Sequence, residues 1–136
     1  MNSSRIALFA AVAAAVCWTL KAVAIGTAGG LDKSPLEGPL FFAGLSSFVV
    51  AVLGLGVAFT RGRPAWLRAT AGVVAVGFGI AVVSVVGALI NAMQAPSPLR
   101  HWVWTEVNLW VMAIAVLGLA LAARRRPAQR KAVGAA

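Results

Sequence analysis

Acidic side chains are nearly absent: Asp32, Glu37 and Glu106 are the 3 carboxylates among 136 residues, against 12 lysines and arginines. Two of them share a loop with Lys33 and the third lies far along the chain, so no metal-ligand constellation forms. The 1 cysteine, Cys17, excludes an intramolecular disulfide relay and reads as apolar packing. The 1 histidine, His101, supplies neither paired axial haem ligands nor a Ser-His-Asp set, and is expected at a lipid–water interface. No glycine-rich phosphate loop follows a strand pattern. The expectation is a non-enzymatic protein with no metal and no cofactor.

Alternation of apolar and polar residues is lacking too, which excludes a transmembrane β-barrel. What is abundant is apolar: 61% of residues are hydrophobic and 11% charged. The mean hydropathy is +0.91, a composition outside the range of water-soluble domains. Four apolar runs stand out, from Ile6 to about Ile25, Pro39 to Phe59, about Leu67 to Ile90, and about Trp102 to Ala123. A helix rising about 1.5 Å per residue crosses a hydrocarbon layer of about 30 Å in about 20 residues, which each run provides. The breakers "GGLDKSPLEGP", "RGRPAW" and "MQAPSPLRH" separate them. The predicted fold is all-α: an integral membrane antiparallel four-helix bundle over residues 1–123, followed by a basic tail over 124–136.

A cleaved signal peptide is the rival reading of the first run, since Ala13 to Ala15 satisfy a small-residue cleavage rule. Apolar sequence continues well past Ala15, however, and Arg5 alone is a thin basic leader. A lipoprotein reading of Cys17 meets Val16 where a small residue is wanted. An uncleaved first span is expected.

Basic residues gather in alternate loops. Arg5 precedes the first span, Arg61, Arg63 and Arg68 lie between the second and third, and Arg124, Arg125, Arg126, Arg130 and Lys131 follow the fourth. The other two loops hold Lys33 and Arg100. By the positive-inside rule both termini are cytoplasmic, in a multi-pass plasma-membrane protein. The net charge of +9 then reflects topology and attraction to lipid. Nucleic acid is not an expected partner, because the tail has no interleaved aromatics. Its five basic residues are expected on anionic headgroups, at about 1 kcal/mol each.

The two external loops share the word "SPL", at 34–36 and 97–99. At Ser97 it starts the fourth span. At Ser34 it extends to Glu37 as a capping box, and Gly38-Pro39 is expected to break it after one turn on the outer surface. Nothing else aligns at that offset, so no internal repeat is supported.

Helices in lipid associate where small residues let backbones approach. The second span offers Gly44, Ser47, Ala51, Gly54 and Ala58, and the third Gly77, Ala81, Ser84, Ala88 and Asn91, both in steps of three and four. These stripes are expected to face each other across the short connecting loop.

Lys21 is the one lysine inside a span. It lies about 22 Å along the first run, roughly 8 Å below the outer hydrocarbon boundary. Glu106, counted back from Ala123, comes to about 25 Å, nearly the same level. Either charge alone costs about 2.5 to 3.5 kcal/mol on insertion scales, so pairing relieves both. Asn108 and Asn91 complete a candidate external polar cluster. Three readings stay open for Lys21: snorkelling to headgroups, a structural pair with Glu106, and a functional ion or proton site.

Trp66, Trp102 and Trp104 lie at span edges, as an interfacial belt requires. Trp102, Glu106 and Trp110 share one stripe, and Trp18 precedes Lys21 by three residues, so an aromatic enclosure for a cation is the alternative to belt and packing. Two functions from different classes follow. One is association, as a homo-oligomer or as an accessory subunit of a larger membrane complex. The other is a small oligomeric transporter or channel with a Lys21/Glu106 polar site near the external face.

Overall fold

The structure, a computed structural model, describes residues 3–93 and 101–134, with the side chains of 90–91, 101, 104–105 and 126–134 outside that description. Four helices account for it: α1 Ser3–Ala28, α2 Glu37–Phe59, α3 Ala65–Met93 and α4 His101–Gly134. No strand occurs among the described residues. Each helix contains a stretch long and apolar enough to cross a membrane: Ser3–Ala28, Glu37–Phe59, Ala65–Leu89 and Glu106–Arg125.

Local chemistry sets the helix ends. α1 stops at Ala28 because Gly29 takes a left-handed φ of 81°, after which the Gly30 N–H donates to the Ile25 carbonyl at 3.0 Å. That is a glycine-terminated helix end whose last carbonyls find donors. α2 closes through Thr60, which donates both its N–H (3.2 Å) and its hydroxyl (2.6 Å) to the Gly56 carbonyl. The next turn contains Gly62 at φ 84°.

The turn at Ser34 differs from expectation. Its backbone runs straight into α2, with the Glu37 N–H on the Ser34 carbonyl and the Leu40 N–H on the Leu36 carbonyl. Pro39 therefore falls in the first turn of α2, where the N–H it lacks would have had no helical partner. The capping box does not form. Ser34 Oγ accepts from the Leu36 N–H at 3.3 Å, and the Glu37 carboxylate accepts from the Asp32 N–H at 2.9 Å, folding the loop back on itself.

α1 is the organising helix and packs along α2 and α4, while α3 sits against α2 and α4. The buried face of α1 reads Ser4, Ala7, Ala11, Ala14, Trp18, Lys21 and Ile25, a repeat of three and four residues. Its other faces expose Phe9, Val12, Val16, Leu20 and Val23. On α1 the inward face is mostly small and the outward faces carry large residues, and large apolar side chains stand exposed on other helices too, Phe78 at 70% and Ile114 at 69%. This is the arrangement expected where the surrounding solvent is hydrocarbon, because close backbone packing then holds helices together.

The stripe of small residues on α2 meets α1, not α3. A Cβ at Gly54 would stand 3.1 Å from the Ala7 Cβ, and one at Gly44 would overlap the Trp18 indole. Ala51 is fully buried and Ser47 partly so. On α3, Gly77 has no heavy atom within 4 Å of its would-be Cβ, and Ala81, Ser84 and Ala88 are exposed. The cause is the alanine face of α1, which brings its backbone close enough to claim the α2 glycines. α2 and α3 touch instead near their connecting loop, where a Cβ on Gly56 would lie 2.9 Å from the Gly72 Cα. Further along, Phe48 lies over Gly79, its ring 3.7 Å from a would-be Cβ there.

Candidate functional site

α1 and α4 bring together Lys21 and Glu106, the lysine and the glutamate expected at one depth. Lys21 Nζ donates to Glu106 Oε1 and forms a salt bridge with it, with Lys21 6% and Glu106 1% exposed. Both side chains turn inward. The Lys21 ammonium also stands 5.7 Å from the centre of the Phe41 ring of α2, within cation–π range. The sequence offered no direct sign of Phe41, because depth can be counted along a helix whereas the direction faced depends on how the helices pack.

The neighbouring polar groups are also buried. Asn108 Nδ2 donates to the Val83 carbonyl of α3 at 3.3 Å. Its Oδ1, Glu106 Oε2 and Trp18 Nε1 are buried without hydrogen-bond partners among the described residues. Asn91, His101 and Trp104 have side chains outside the described set, as do Arg126, Arg130 and Lys131. The loop expected to hold Ser97 and Arg100 lies outside it altogether.

The tryptophans separate into different surroundings. Trp18 is buried against Gly44 and packs on Phe48 with ring centres 5.6 Å apart. Trp102 sits beside Gly26, its ring edge 3.6 Å from a would-be Cβ. Trp110 and Trp66 are exposed. Among the described residues, Phe41 is the ring recorded over the lysine ammonium.

One cavity reaches Lys21, and a second shares the Phe41 wall with it. An open cleft of about 450 Å³ is lined by Lys21, Asp32, Ser34, Glu37, Gly38 and Phe41. A second cavity of about 370 Å³ is walled chiefly by apolar groups of α2 and α3, including Leu45, Val76, Ile80 and Val83, and by Trp18 and Phe41. Phe41 is thus a wall of both. Among the described residues no three of His, Cys, Asp and Glu cluster as a metal site would need. Arg124 and Arg125 are exposed at the far end of the α4 span.

Compared with protein families, curated proteins and solved structures, the chain matches none of them. Fold and site define its class from within: a small all-helical protein with four helices able to cross a membrane and an ion pair buried between the first and last.

Proposed function

We propose that this is a multi-pass plasma-membrane protein, an antiparallel four-helix bundle with both termini cytoplasmic, whose work is association rather than catalysis. It acts as a homo-oligomer or as an accessory subunit of a larger membrane complex, and its basic tail, Arg124 to Lys131, rests on anionic headgroups. The outward face of α3 carries this reading. Gly77, Ala81, Ser84 and Ala88 are exposed in a row, flanked by exposed Val74, Phe78, Val85 and Leu89. Small residues between larger ones make a groove, and a groove of this kind lets a further helix approach closely. The small faces of α1 and α2 are consumed within the chain, whereas that of α3 is left open. Residues paired between α1 and α2, Ala7 with Gly54 and Trp18 with Gly44, run in opposite order, which supports the antiparallel arrangement.

The test is cross-linking in native membranes from cysteines placed at 77 and 81 in a chain carrying Cys17→Ala. Cross-links to a second copy or to a larger protein are expected. Their absence, with a monomer of unchanged mass in mild detergent, removes the association reading. The transporter or channel reading draws on a different observation, the open cleft that reaches Lys21.

A further inference from the structure

The cleft at the α1–α2 loop carries charge in a definite order. Lys21 lies at its base, within the apolar length of α1, and Asp32 and Glu37 lie at its rim. A lysine ammonium has three N–H donors, and Lys21 Nζ makes one hydrogen bond, to Glu106, among the described residues. Donors therefore remain for an anionic oxygen. At the rim the Asp32 side chain makes no ion pair among the described residues, and Glu37 accepts from a backbone N–H, which leaves its charge in place. Glu106 already balances the Lys21 charge. A ligand that fits therefore brings an acceptor oxygen to the remaining Lys21 donors at depth and a positive group to the rim, whereas a ligand negative throughout would meet two carboxylates at the entrance.

Phe41 then determines what the ligand is attached to. It forms a wall of this polar cleft and equally a wall of the apolar α2–α3 cavity. Nearer the α2–α3 loop these helices come into close contact, where Gly56 meets Gly72, and Phe48 and Gly79 are among the lining residues of the cavity. A polar seat and an apolar slot sharing one wall, at the end of four membrane-length helices, match the two halves of a phospholipid. In such a lipid the phosphate is joined to the glycerol and the ammonium lies at the outer tip, the same order as Lys21 and the two carboxylates.

We propose that this end of the protein binds one zwitterionic phospholipid with an ammonium headgroup. The phosphate sits on Lys21, the ammonium on Asp32 and Glu37, and an acyl chain in the α2–α3 cavity. The α2–α3 cavity borders the α3 groove at Ser84, and the proposal otherwise requires only that the helices span a bilayer.

Native mass spectrometry of the full chain, released from lipid discs containing phosphatidylethanolamine and phosphatidylglycerol in equal amounts, tests it. One phosphatidylethanolamine per chain is expected to survive release, about tenfold over the level in an Asp32→Asn/Glu37→Gln variant, a difference of about 1.4 kcal/mol. Both substitutions keep the shape of the loop. Leu45→Trp, which fills the apolar cavity, is expected to lower retention similarly while leaving phosphatidylglycerol on the basic tail unchanged. Free phosphoethanolamine in excess is expected not to displace the lipid, and this arm needs no substitution. Equal retention of both lipids at this site, retention unaffected by the charge variant, or displacement by free phosphoethanolamine would each overturn the proposal. Cross-linking of a second copy through residue 45 or 80 would also overturn it, since protein would then occupy the cavity.

Discussion

Lys21 of α1 and Glu106 of α4 form a salt bridge buried between the first and last helices of the chain. Removing one partner leaves the other charge at the same depth without compensation, a cost of about 3 to 5 kcal/mol in buried pairs. Lys21→Met and Glu106→Gln are each expected to destabilise the protein in detergent or bicelles. The double variant should recover much of the loss, with a coupling on the order of 0.5 to 3 kcal/mol. Additive effects in the cycle would show that the pair contributes nothing as a pair.

The glycines give a second test, in which one substitution differs from another by position alone. A Cβ on Gly54 would be 3.1 Å from Ala7, whereas one on Gly77 meets nothing within 4 Å. Gly54→Leu is expected to force α1 from α2 and to cost about 1 to 3 kcal/mol, the usual range for overpacking. Gly77→Leu should leave the unfolding midpoint within about 0.5 kcal/mol of the parent, as surface changes do. If the α3 groove seats a partner, the same change lowers the oligomer population. Equal destabilisation by both would mean that the α2–α3 seam expected from the sequence exists after all.

The partition between these glycines also shows what the sequence made legible. Apolar run length and the breakers between runs placed four helices, because hydrocarbon thickness imposes a length on each. Counting residues put Lys21 and Glu106 at one depth, and the structure joins them. Azimuth was not legible. α1 is apolar on nearly every side, so hydropathy did not mark its buried face, and the one trace of it is the spacing of Ser4, Ala7, Ala11, Ala14, Trp18 and Lys21, diluted by Ala10, Ala13 and Ala15. With that face unseen, the α2 glycines were matched to the nearest small stripe in sequence, on α3. Phe41 escaped for the same reason. The broken turn expected at Gly38-Pro39 failed for a different one: a proline in a helix's first turn lacks only a donor that has no partner there.

Orientation is open to direct chemistry. Arg61 Nη2 donates to Ser3 Oγ at 3.3 Å, which holds the α2–α3 loop beside the start of α1. In the proposed topology both are cytoplasmic. In a chain carrying Cys17→Ala, Ser34→Cys should react with an impermeant maleimide added to intact cells, and Gly62→Cys only after the membrane is opened. The reverse pattern would invert the topology.

Asn108 separates a polar group kept for structure from one kept for another purpose. Its amide donates to the Val83 carbonyl at 3.3 Å, while its Oδ1 is buried with no partner among the described residues. A hydrogen bond between membrane helices contributes about 0.6 kcal/mol on average, whereas an unsatisfied buried acceptor costs about 1 to 3 kcal/mol. The second effect is the larger. Asn108→Leu, similar in volume and free of polar atoms, is therefore expected to stabilise the protein by up to about 1 kcal/mol in chemical or thermal unfolding. That sign is opposite to the one expected for Glu106→Gln, two residues away. A more stable Asn108→Leu protein that has lost its oligomeric partner or its lipid would mark the amide as functional, because the native residue would then be retained at a cost to the fold. A loss of stability greater than about 1 kcal/mol would instead show that Oδ1 is hydrogen-bonded in the membrane and that Asn108 ties α4 to its surroundings.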